Sequence, residues 1–255
     1  MLQNIKIVLV ETSRQGNIGS TARAMKTMGL TNLCLVNPKD DYLGGESVAF
    51  AAGAADVLHN TKIFNSLKDA LDNTEIVFGT SIRQRSVSIP LLDMKQSADV
   101  IFESLNKNSK TNIALVFGRE NSGLNNQELG ACNYHIKIPT NPEYGSLNLS
   151  QAVQIASYEI YQKINAQQIE EKSDNKSQNI DYEEKPSFKE MEMYYEHLEE
   201  VLRKIEFIDT RSSRKLMLRF KKLYNKADVT KDELNILRGV LSSTIKYVER
   251  SILKG

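Results

Sequence analysis

Three stretches of this 255-residue chain hold the side chains best suited to chemistry. The first, "VETSRQGNIGSTARAMKTMGL" (10–30), carries Gly16, Gly19 and, inside an expected helix, Arg23. The second, "FGRENSGLNNQEL" (117–129), sets Arg119 beside Glu120 between Gly118 and Gly123. The third, "IPTNPEYGSLNLSQAVQIA" (138–156), passes Pro139 and Pro142 and offers Ser146 or Asn148 as a helix cap. Guanidinium groups in such loops suit phosphate or a developing negative charge. Two standard phosphate-binding loops are excluded. No G-x-x-x-x-G-K-[ST] occurs, and Gly16 and Gly19 are followed by Ala22 rather than completing G-x-G-x-x-G. Phosphates, if bound, are therefore held by side chains. Each loop alone also fits a purely structural turn, and Arg23, opposite Ile18, Ala22 and Met25 on a helical wheel, also fits a solvated position.

The elements that must position these residues follow from hydrophobic pattern. Apolar runs predict strands at Ile5–Val10, Leu33–Val36, Ile63–Phe64, Ile76–Gly79, Ile113–Phe117 and His135–Ile138. Helical patterns lie at Ile18–Met28, Gly45–Ala52, Leu67–Leu71, Ala98–Leu105 and Leu147–Ile164. Such alternation predicts an α/β domain with a mostly parallel sheet, whose ligands bind beyond the carboxyl ends of the strands. All three stretches begin there.

Residues 1–164 balance to zero charge and form the expected α/β domain. Residues 165–186 carry a net −3, are poor in apolar residues and read as a linker. Residues 187–255 carry +4 and read as a small helical domain. Ser187–Glu190 and Thr230–Glu233 have capping-box spacing, and a helix from Arg211 to Lys226 is basic throughout. A basic extension suits a polyanionic partner, and equally a solvated face.

Cys34 and Cys132 lack CxxC spacing and read as reduced core residues. His59, His135 and His197 are scattered, so no metal site is expected. "MLQNIKIVLVE" lacks the features of a signal peptide, and no run is long enough to span a membrane. A cytoplasmic location is expected.

"NIGSTARAMKTMGL", "LVFGRENSGLNNQEL" and "IPTNPEYGSLNLSQAV" together resemble the three motifs of the knotted SPOUT RNA 2′-O-methyltransferases. The resemblance runs in order through residues 1–164. The opening "MLQNIKIVLVETS" and the helical extension with "ELNILRGVL" are most similar to the TrmJ-type branch, which methylates ribose 32 of tRNA.

This resemblance implies a SPOUT fold with a C-terminal trefoil knot, a homodimer, a tRNA substrate and S-adenosylmethionine as cofactor. It implies cofactor contacts from Thr80, Ser81, Ile82, Gly118, Ile138, Gly145, Ser146 and Leu147. Related enzymes often carry Ser at the place of Gly145, so a side-chain contact is absent there. It implies Arg23 and Ser146 as catalytic residues, and Asn17, Gly19, Glu120 and Asn148 as motif support. RNA contacts are expected from Arg83, Arg85 and Arg119 near the pocket, and from Arg214, Lys215, Arg219 and Lys222 on the basic helix. The rivals are the same chemistry on ribosomal RNA, base methylation, and a non-catalytic RNA-binding protein that kept the fold.

Overall fold

The computed structural model describes residues 1–81, 89–170, 184–208 and 213–252. These residues fall into two compact units, Met1–Asp181 and Tyr182–Gly255.

The first unit is built on a parallel sheet of seven strands: β1 Ile5–Val10, β2 Asn32–Val36, β3 Lys62–Phe64, β4 Ile76–Thr80, β5 Leu91–Leu92, β6 Ile113–Phe117 and β7 Tyr134–Ile136. Their order is β3-β2-β1-β6-β4-β7-β5, and every neighbouring pair runs parallel. Its helices are α1 Gln15–Thr27, α2 Gly45–Ala51, α3 Ala55–His59, α4 Leu67–Leu71, α5 Met94–Lys107, α6 Asn126–Gly130 and α7 Leu149–Glu170.

β1 and β6 sit at the centre, with Val8 opposite both Cys34 and Val116. All five residues of β6 are buried, because helices cover both faces of the sheet. α7 packs on α1 and α5 through Val153, Ala156, Ile160 and Ile164. It continues to Glu170, past the expected boundary, because Ala166, Gln167 and Gln168 sustain a helix.

α1 ends in a Schellman motif: Gly29 is left-handed (φ 72°), Leu30 N–H donates to Met25 O at 2.9 Å and Gly29 N–H to Lys26 O at 3.1 Å. Gly19 permits its packing on α2, since a Cβ there would lie 2.1 Å from the Ser47 carbonyl oxygen. Cys34 and Cys132 are buried and unpaired, and burial pushes both thiols above their ordinary range.

The second unit contains α8 Phe188–Lys204, α9 Ser213–Ala227 and α10 Lys231–Ile252. Both expected capping boxes form. Ser187 N–H donates to Glu190 Oε2 at 2.7 Å, and Thr230 N–H to Glu233 Oε2 at 2.9 Å. The core holds Tyr194, Tyr195, Leu198, Leu202, Met217, Leu234 and Leu241, with Phe220 and Tyr224 packed against it. Most of the expected linker, and Arg211, lie outside the described residues. Among the described residues no helix is long and apolar enough to cross a membrane.

Candidate active site

A cavity of about 340 Å³ opens at the carboxyl ends of β4, β6 and β7. Its walls include Phe117, Ile136, Ile138, Pro142, Leu147 and Leu149, with polar groups from Thr80, Ser81, Glu120 and Ser122. Seven of the expected cofactor residues line it: Thr80, Ser81, Gly118, Ile138, Gly145, Ser146 and Leu147. Ile82 lies outside the described residues, as do Arg83 and Arg85.

Gly118 makes this wall possible. A Cβ on it would meet the Gly123 carbonyl carbon at 2.1 Å and the Leu124 nitrogen at 2.2 Å. The loop after β6 folds back onto the strand end, with Gly123 left-handed at φ 65° and its N–H donating to Arg119 O at 2.8 Å.

Glu120 ties the three motif stretches together. Its carboxylate accepts from Thr12 Oγ1 at 2.8 Å, from Ser13 and from Asn17 Nδ2 at 3.0 Å. Asn17 Oδ1 in turn accepts from Asn148 Nδ2 at 2.8 Å, while Asn148 Oδ1 caps α7 by accepting Ser150 N–H at 2.9 Å. Burial alone would raise the Glu120 pKa. The hydrogen bonds from Asn17 and Thr12 overcome it and hold the carboxyl below its ordinary range.

Arg119 departs from the expected RNA contact. Its Nη1 and Nη2 reach Glu128 at 3.0 and 2.9 Å, and its Nε and Nη2 reach Glu11 at 3.1 and 2.5 Å. The guanidinium is bidentate to two carboxylates and has little left for phosphate. Donating to Glu128 and Glu11 raises its pKa, and the hydrogen bond from Arg119 lowers that of Glu11. Glu11 occupies a left-handed conformation (φ 47°), with its N–H donating to Val36 O at 2.8 Å. Glu128 belongs to the capping box of α6 with Asn125. Sequence reasoning missed both carboxylates. Only Glu128 left a signal, its N-x-x-E spacing from Asn125.

Arg23 lies elsewhere. It is exposed and lines a separate depression of about 520 Å³ with Ser20, Thr27, Phe50 and Gln154. Within one chain, α1 therefore does not bring Arg23 to the cavity that holds Ser146. On α9, Arg214, Lys215 and Arg219 are exposed and Lys222 is half-buried. Among the described residues no three His, Cys, Asp or Glu side chains are grouped to hold a metal.

A cavity beyond the carboxyl ends of a parallel sheet, walled by interlocked loops, is the architecture of an α/β enzyme that binds a small ligand. A model described as the SpoU rRNA methylase family matches residues 4–158, and one described as the C-terminal domain of the tRNA methyltransferase TrmJ matches residues 189–252. A Photorhabdus laumondii protein named tRNA (cytidine/uridine-2′-O-)-methyltransferase TrmJ is 46% identical, covering 98% of this chain and 100% of its own. A Pseudomonas aeruginosa protein named tRNA (cytidine/uridine/adenosine-2′-O-)-methyltransferase TrmJ is 44% identical, covering 96% and 95%. Among solved structures, TrmJ from Z. mobilis superposes with a TM-score of 0.78 at 30% identity, covering 93% of this chain and 97% of that one. The chain belongs to the SpoU methylase family, in its TrmJ-type branch.

Proposed function

We propose that this protein transfers a methyl group from S-adenosylmethionine to the 2′-hydroxyl of a tRNA ribose, at nucleotide 32 of the anticodon loop. The observation that carries the reading is the cavity on which the three interlocked motif stretches converge. The cavity suits the donor. Its walls are largely apolar, and the guanidinium beside it is already neutralised by Glu11 and Glu128. That suits a molecule with an adenine, a cationic sulfonium and no phosphate. Thr80, Ser81, Gly118, Ile138, Gly145, Ser146 and Leu147 would hold it.

The donor supplies an already activated methyl group. The protein's own task is to align the ribose hydroxyl and ease loss of its proton. Ser146, exposed at the cavity, hydrogen-bonds near the hydroxyl in this reading. Arg23 stabilises the developing alkoxide and positions the adjoining phosphate. Guanidinium groups stay protonated near neutral pH, so electrostatic activation suits it better than general-base work. Its separation from its own chain's cavity supports a homodimer in which each Arg23 serves the partner's cavity. A trefoil knot is part of the same reading. It is supported by β7 lying between β4 and β5 and by α7 packing back on α1 and α5.

Residues 1–164, with the end of α7 to Glu170, would form the methyltransferase domain, the residues from there to 186 the connection and 187–255 the RNA-binding extension. The match over 189–252 supports tRNA rather than ribosomal RNA. Arg214, Lys215, Arg219 and Lys222 would grip the tRNA body. The names of the relatives carry cytidine and uridine, and one adds adenosine, so action on the ribose is expected to tolerate several bases. A cytoplasmic location follows from a tRNA substrate.

The test is incubation with unmodified tRNA and labelled donor, followed by nuclease mapping. Label on ribose 32 is expected. Absence of label, with the donor shown by calorimetry not to bind, would refute the reading.

A further inference from the structure

Tyr144 is the most exposed large hydrophobic residue among those described, at 81%. Nothing in the three-loop network uses its side chain, yet its backbone is pinned. Its N–H donates to Asn141 O at 3.1 Å, and Asn141 Oδ1 accepts Glu143 N–H at 3.0 Å. Pro142 stiffens the same turn through its fixed φ. The flanking residues Pro142, Gly145 and Ser146 all line the cavity. A rigid turn thus holds an aromatic ring in water at the mouth of the site.

We infer that Tyr144 is a stacking platform for the base of the nucleotide whose ribose enters the cavity. The inference rests on the methyl-transfer reading above. An enzyme acting on ribose must orient the nucleotide without reading base edges, since several bases are accepted in that reading. A ring face meets this need, because every base has a π-face and stacking is tolerant of sequence. A tyrosine on a fixed turn also loses little rotamer freedom when it is covered. Arg23 and Ser146 address phosphate and ribose in the same scheme, which leaves the base to Tyr144.

The experiment uses the full chain and an unmodified anticodon stem-loop with fluorescent 2-aminopurine at position 32. S-adenosylhomocysteine replaces the donor, so no turnover occurs. Wild type and Tyr144→Phe are expected to quench the probe and to bind within about threefold of each other. Tyr144→Leu is expected to lose the quenching and to bind RNA roughly 10- to 100-fold more weakly. Donor affinity by calorimetry and mass by light scattering should be unchanged in both variants. Three results would overturn the inference. The first is full quenching by Tyr144→Leu. The second is a Tyr144→Phe defect equal to that of Leu, which would assign the role to the hydroxyl. The third is a parallel loss of donor affinity or of oligomeric mass, which would place the ring in the donor site or against another copy of the chain. Quenching does not depend on methylation. If wild type stacks the probe but transfers no methyl group, the methyl-transfer reading fails and the stacking role stands.

Discussion

At Glu120, one carboxylate holds groups from the first motif while Asn17 passes the connection on to the third. Replacing Glu120 by Ala leaves Thr12 and Asn17 without their acceptor inside a half-buried site. A loss of about 1–3 kcal/mol in chemical denaturation is expected. The pH dependence has a definite sign. Glu120 and Glu11 are both held below their ordinary values in the folded protein. Their contribution is complete above the unfolded carboxylate range, about pH 4.3, and is lost as pH falls through the lowered folded values. Thermal scans from pH 7 to pH 3 should show a falling Tm, with a shallower fall in Glu120→Gln. Arg119→Lys keeps the charge but loses the double fork onto Glu11 and Glu128. Donor affinity should fall about 5- to 30-fold by calorimetry before any direct effect on RNA binding. Arg23→Ala should leave donor affinity intact and abolish most turnover.

Elements show how much the sequence disclosed. Six of the seven strands and the helices α1, α2, α4, α5 and α7 were readable because each carries a sustained apolar pattern. β5 has only two residues, and α3 and α6 are single turns of five that lack the apolar i, i+3, i+4 set which Leu67, Ala70 and Leu71 give the equally short α4. The loops that wall the cavity were legible as motifs, but Arg119 was not legible as a brace. Its partner Glu11 is 108 residues away in sequence, and only the parallel pairing of β1 with β6 brings the two together. Arg23 was legible as a motif residue, whereas its depression on α1 and α2 was not. At this scale Gly19→Ala is informative. Alanine would gain about 1 kcal/mol of helix propensity, but its Cβ would strike the Ser47 carbonyl at 2.1 Å. The clash dominates, and a lowered denaturation midpoint is expected.

Across the whole molecule, charge is unevenly divided along the chain. The first 164 residues are neutral, and the last 69 carry +4. Binding energy from the extension should therefore depend on salt, while donor binding in the cavity should not. Exposed Lys215 and Arg219 are the sharpest probe. Removing both is expected to weaken tRNA binding and to reduce the slope of log affinity against log salt by roughly one for each phosphate no longer neutralised. Donor affinity, measured in parallel, should stay at the wild-type value.

The hydrogen bond between Asn148 and Asn17 joins residues 131 positions apart. A growing chain leaves the ribosome with Asn17 first, and the cavity lacks its third wall until Asn148 and α7 have followed. Contacts of this separation form late, because a long loop must close before they can be made. Methyl-transfer capacity therefore arises as a late event of synthesis. Chains interrupted before α7 would hold much of the sheet and no complete site.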